Sequence, residues 1–123
     1  MAEKEEIYKT AYLAYEEGQY SQAADLFAYL IALSPSQYDF WKGFAASEQM
    51  NQHYESALRG WVFAALLSPE DPLPHVHAAQ CLISLNQKED AAKAIHLALK
   101  KTPLDRKLMI SQLQSLRETL HHG

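Results

Sequence analysis

His75, His77 and Cys81 are the residues best suited to holding a metal, and they form the pattern H-x-H-x-x-x-C within "LPHVHAAQCLI". Four residues make about one helical turn, so on a helix His77 and Cys81 share a face and could offer an imidazole nitrogen and a thiolate to one ion. His75 leaves that face, and neither a second cysteine nor a pair of carboxylates completes a tetrahedral set. These side chains are therefore expected to be packed or half-exposed, and no metal or other cofactor is assigned. Cys81 lies in the apolar run "AAQCLI" and reads as an inert small hydrophobe. Adjacent acids such as Glu5-Glu6 and Glu16-Glu17 diverge around a helix and read as solvated faces. There is no glycine-rich loop to cradle phosphate and no nucleophile elbow. Nothing in the pattern gives a positive reason to assign an enzyme.

Binding is the alternative, and "IYKTAYLAY" at 7–15 raises it most sharply. Ile7, Ala11 and Ala14 supply one apolar helix face. Tyr8, Tyr12 and Tyr15 cluster within roughly a 60° arc, about 100° away from that face. Three tyrosines beyond what one packed face requires call for a partner.

The elements that carry these residues follow from a repeat. Pro35, Pro69 and Pro103 are separated by 34 residues each, as are Ala11, Ala45 and Ala79, and Ala23, Ala57 and Ala91. Phe27, Trp61 and Ile95 keep the register, as do Leu30, Ala64 and Ala98. Small residues mid-unit and proline at its end are the pattern of the tetratricopeptide repeat, which the chain resembles over about 4–103. Each unit is a helical hairpin in which alanines allow close approach of antiparallel helices and aromatics fill the gap beside them. Proline ends the second helix. The expected hairpins are 3–17 with 21–33, 38–50 with 54–67, and 73–85 with 88–101, within repeats at about 4–37, 38–71 and 72–105. Gly18 suits the first turn, where a left-handed backbone ends the helix, and Gln52 and Asn86 stand at the matching turns. The tail places Met109, Leu113, Leu116 and Leu120 on one stripe, which reads as a capping helix over about 104–120. The fold class is all-α: three stacked hairpins in a curved solenoid with a C-terminal capping helix, one domain over 1–123.

Bulk properties agree. The chain has 123 residues, 48% hydrophobic and 21% charged, with a net charge of -4 and one cysteine. That composition is ordinary for a soluble domain and gives no clustered basic surface for nucleic acid. No apolar run is long enough to span a membrane, "MAEKEE" does not read as a secretory leader, and the lone cysteine fits a reducing cytoplasm. Neither nucleic-acid binding nor direct membrane insertion is expected.

In such a solenoid the first helix of each hairpin lines the concave side. The register carries the tyrosine face to Lys42, Ala46, Gln49 and Met50 in the second unit, and to Leu73, Val76, Gln80 and Ile83 in the third. Phe40 falls at the groove edge, and Trp41 and Phe44 fall on the core side. An aromatic and aliphatic groove with amides suits an extended peptide, because tyrosines offer apolar area and a hydroxyl, and glutamines can pair with peptide amides.

Three stretches are similar to the class II chaperones of bacterial type III secretion. They are "IYKTAYLAYEEGQYSQAADLF", "DFWKGFAASEQMNQHYESAL" and "EDPLPHVHAAQCLI". The "HAAQCL" segment is the most specific, since a generic repeat does not ask for His77 or Cys81, and Pro72 and Pro74 match that family's proline-interrupted third unit. The resemblance implies a cytoplasmic bacterial chaperone. Its concave groove would hold a short extended segment of a hydrophobic secreted translocator subunit, keeping it soluble and unassembled before export. It implies peptide contact at Tyr8, Tyr12, Tyr15, Phe40, Phe44 and His77. The family carries a further helix ahead of the first repeat, used in dimerisation and client contact; here the first repeat helix is expected within a few residues of Met1, which leaves a homodimer open. Two alternatives stand beside this reading: a needle-subunit chaperone that cradles a helix, and a repeat scaffold joining soluble partners.

Overall fold

The computed structural model describes residues 2–122, and every regular element among them is helical. In chain order these are α1 (Ala2–Glu16), α2 (Tyr20–Leu33), α3 (Tyr38–Met50), α4 (Tyr54–Leu67), α5 (Leu73–Ser84), α6 (Lys88–Lys101) and α7 (Lys107–His122). The bounds of the first six fall within one residue of the expected hairpins. Each helix packs on its neighbours in the chain, while α1 also touches α3, α5 touches α7, and Gln49 of α3 is hydrogen-bonded to Gln80 of α5, so the odd-numbered helices run side by side.

The hairpin turns share one hydrogen-bond pattern. Gly18, Gln52 and Asn86 have φ of 79°, 64° and 60°. After each, a backbone N–H reaches back to the helix: Gln19 to the Ala14 carbonyl, His53 to that of Glu48 and Gln87 to that of Leu82, each at 2.8 Å. Together with the bonds from Gly18 to Tyr15, Gln52 to Gln49 and Asn86 to Ile83, this is the Schellman C-cap three times over. At the far end of each hairpin a Ser or Thr precedes the proline. Ser34, Ser68 and Thr102 have ψ of 83°, 73° and 123°, outside the helical region that a following proline disfavours.

The core repeats with the turns. Ala11, Ala45, Ala79, Ala23, Ala57 and Ala91 have no exposed surface, which lets the paired helices close on one another. Phe27, Trp61 and Ile95 are each 1% exposed and anchor three successive clusters. Burying a side chain of this size is worth roughly 1.5–3 kcal/mol. The third cluster also takes in Leu113 of α7, with Met109, Leu116 and Leu120 packed beside it, so the tail's apolar stripe covers the last hairpin. Leu113 continues the series Ala11, Ala45, Ala79, which gives α7 the place of the first helix of a fourth unit. It begins at Lys107, not near 104, because Pro103 opens a turn closed by the Arg106 N–H on its carbonyl.

Trp41 lies at the edge of the core and Val76 within it. Trp41 is only half-buried; it stacks on Phe63 with ring centroids 4.5 Å apart, and its indole N–H donates to the Pro35 carbonyl. It clamps the link between units and packs against the second core cluster, on the core side as the register expects. Val76 was expected in the groove, but is 4% exposed and belongs to the third cluster, where α7 closes the apolar face of α5.

Candidate functional site

A depression of about 200 Å³ crosses the odd-numbered helices. Tyr12 and Tyr15 come from α1, Lys42, Gly43 and Ala46 from α3, and Leu73 and His77 from α5. Phe27 and Trp61, from the second helices of the first two hairpins, form its floor. The Phe27 ring sits there because Gly43 has no side chain and lets it pack directly on α3: a Cβ at Gly43 would lie inside the contact distance of the ring. Of the residues read from the sequence, Tyr12, Tyr15, Lys42, Ala46, Leu73 and His77 meet here.

Tyr8 and Phe40 sit one step along the same surface. Their rings are 5.6 Å apart, and they line a neighbouring depression of about 320 Å³ with Lys4, Glu5, Ser34 and Gln37. Tyr8 joins the two depressions through its edge contact with Tyr12 at 5.0 Å. Tyr15 packs edge-on to Tyr20 at 5.5 Å. Burial raises the Tyr8 and Tyr15 hydroxyls above the ordinary tyrosine value, so both remain protonated donors at neutral pH.

A hydrogen-bond chain supports the floor. The Trp61 indole N–H donates to Gln49 Oε1 at 2.8 Å, and Gln49 Nε2 donates to Gln80 Oε1 at 2.9 Å. His77 Nδ1 lies 3.0 Å from the same oxygen, so in this arrangement the ring carries its proton on Nδ1. His77 also stacks on Trp61, with centroids 4.5 Å apart and planes within 13°. Burial lowers the His77 pKa below the usual imidazole value; the Gln80 bond opposes that shift and the Lys42 charge reinforces it. His77 is therefore neutral at pH 7 and Lys42 is the pocket's one cation.

Several expected site residues have other work. Gln49, expected to pair with peptide amides, spends its carbonyl on Trp61 and an N–H on Gln80. Ile83 packs against the third cluster beneath α7. Phe44 packs against the first cluster and lies close to Gly60, which makes it core, as the repeat register says. Phe27, Trp61 and Gly43 were missed as site residues. Gly43 carried a signal, because glycine inside a helix costs about 1 kcal/mol and needs a packing reason. His75, His77 and Cys81 do not converge: among the described residues no group of three His, Cys, Asp or Glu could hold a metal. Cys81 has no exposed surface, and burial pushes its thiol up to about 11.

A larger depression of about 490 Å³ lies between α4, α5 and α6, lined mainly by apolar residues such as Val62, Leu66 and Leu97. It shares only Trp61 with the tyrosine pocket.

Residues 5–36 match the tetratricopeptide repeat family. The low calcium response locus protein H of Yersinia pestis is 28% identical over 94 residues, which are 76% of this chain and 56% of that protein. The chain thus spans little more than half the length of that relative. A chain of the CopN–Scc3 complex is 31% identical, with a TM-score of 0.86 over 93% of this chain and 69% of that one. The Yersinia enterocolitica type III secretion chaperone SycD, solved with a peptide of the translocator YopD, is 24% identical and shares the fold with a TM-score of 0.91 over 98% of this chain and 94% of its own. The chain belongs to the tetratricopeptide-repeat chaperones of type III secretion.

Proposed function

We propose that this protein is a cytoplasmic chaperone that holds an extended segment of a hydrophobic secreted translocator subunit in the groove of α1, α3 and α5. The observation that carries the reading is the pocket in which Tyr12, Tyr15, Lys42 and His77 surround a floor of Phe27 and Trp61. An apolar client side chain inserted there covers aromatic surface, while the tyrosine hydroxyls and the Lys42 ammonium donate to carbonyls of the client main chain. The YopD peptide bound to SycD, a protein of the same fold, supports the reading. Among the described residues no helix is long and apolar enough to cross a membrane, in keeping with a protein that shields a hydrophobic client without inserting itself.

The test is co-expression with the secreted hydrophobic proteins encoded near this chain. The proposal requires that one of them, aggregated when made alone, becomes soluble and co-purifies with the chaperone. If none is solubilised or retained, the proposal fails. Binding of folded partners with no change in their solubility would instead favour a scaffold.

A further inference from the structure

The groove does not stop at α5. Leu113, fully buried against the third hairpin, occupies in α7 the register position of Ala79, and this puts Ser111 where His77 stands one unit earlier. Since α7 touches α5 as α1 touches α3, α7 extends the row of groove-lining helices. A depression of about 280 Å³ opens there, lined by Gln80, Ser111, Gln112, Ser115 and Leu116.

Its chemistry differs from that of the tyrosine pocket. No charged or aromatic side chain lines it. Ser111, Gln112 and Ser115 are exposed, and each hydroxyl or amide can donate or accept. Gln80 belongs to this depression and also to the hydrogen-bond chain that runs through Gln49 to Trp61. Its Oε1 is already engaged by Gln49 and His77, which turns its Nε2 donors to other use. An extended peptide presents a main-chain N–H and C=O every residue, about 3.3 Å apart. A row of neutral groups able to both donate and accept fits that main chain, and offers little to a charged or aromatic side chain.

We propose that α7 and Gln80 form a second, polar subsite that hydrogen-bonds the main chain of the client beyond the apolar residue held over Phe27 and Trp61. This rests on the groove reading above. It makes α7 a client-binding helix as well as a cover for the last hairpin.

The experiment uses the full chain and overlapping synthetic peptides that span a hydrophobic secreted protein it solubilises on co-expression, with affinity read by fluorescence anisotropy. The peptide that binds is then remade with one main-chain nitrogen methylated at a time, which removes a single N–H donor. Against the wild type, methylation at one or more positions outside the apolar anchor should weaken binding roughly two- to tenfold. The double variant Gln112→Ala, Ser115→Ala alters exposed residues, and should weaken the unmodified peptide by a similar factor and abolish the added penalty of those methyl groups. Tyr12→Ala should weaken binding but keep that penalty. If the double variant binds like wild type, or the methylation penalties survive in it, the α7 subsite is wrong while a weakened Tyr12→Ala leaves the groove reading standing. If Tyr12→Ala has no effect, or no peptide binds the wild type, both readings fall.

Discussion

Replacing Gly43 by alanine puts two opposed effects on one atom. Alanine is favoured over glycine in a helix interior by about 1 kcal/mol, so on an open face the change would stabilise. Here the added Cβ meets the Phe27 ring, at contacts too close for a shift of a few tenths of an ångström to relieve. Phe27 is 1% exposed and packed among Ala11, Ala14, Ala23 and Leu30, so its ring has no open side to turn into. Overpacking of this kind costs about 1–3 kcal/mol and sometimes more, and the closeness of the contact puts Gly43→Ala at or above the upper end. Net of the propensity gain, we expect a loss of about 2 kcal/mol. For a domain of this length that lowers the melting temperature by roughly 5–10 °C. Thermal unfolding followed by helix circular dichroism measures it, with starting helicity unchanged. A melting temperature equal to or above wild type would refute the reasoning, because it would mean Phe27 does not lie against Gly43 and does not floor the pocket.

Other outcomes follow from the same structure. Gln52 holds φ at 64°, a region that suits glycine, so Gln52→Gly should stabilise by about 0.5–1 kcal/mol, read as a higher denaturation midpoint at unchanged slope. Burial depresses the His77 pKa in the folded state, so the unfolded chain takes up its proton first. Stability is then complete above the unfolded imidazole value, about 6.5, and falls as pH drops below it. His77→Gln should flatten that dependence in denaturant titrations between pH 7.5 and 5.5, and an unchanged slope would count against the buried stack on Trp61. Tyr12 is 37% exposed, so Tyr12→Ala should keep near-native helicity while client affinity falls roughly five- to thirtyfold. Parallel loss of helicity and binding would make Tyr12 a core residue.

The fold was legible because the repeat writes each structural demand three times. The alanines at 11, 45 and 79 can be there only if two helices close on that spot, and all three are fully buried. The site was legible in direction but less so in depth. A helical wheel places Val76 and Ile83 on the groove face, yet it cannot show that α7, more than twenty residues further along the chain, folds back over that part of α5. It places Gln49 toward the groove, yet cannot show that Trp61 needs a hydrogen-bond acceptor there. Phe27 and Trp61 were read correctly as core. Their second role as pocket floor depends on the missing side chain at Gly43, a property of three helices meeting and not of any one of them. Phe44 is the converse case: repeat spacing assigned it to the core, the family resemblance to the client, and the packing agrees with the spacing.

The central claim is that the client lies in the tyrosine groove and not in the larger apolar depression between α4, α5 and α6. Site-specific photocrosslinking separates the two. Benzoylphenylalanine is placed at Leu73, in the groove, or at Leu66, which is 69% exposed in the other depression, and the chaperone is co-expressed with the secreted hydrophobic protein that it solubilises. The account predicts a crosslinked chaperone–client species from position 73 and none from position 66. A client crosslinked from position 66 and absent from position 73 would contradict it.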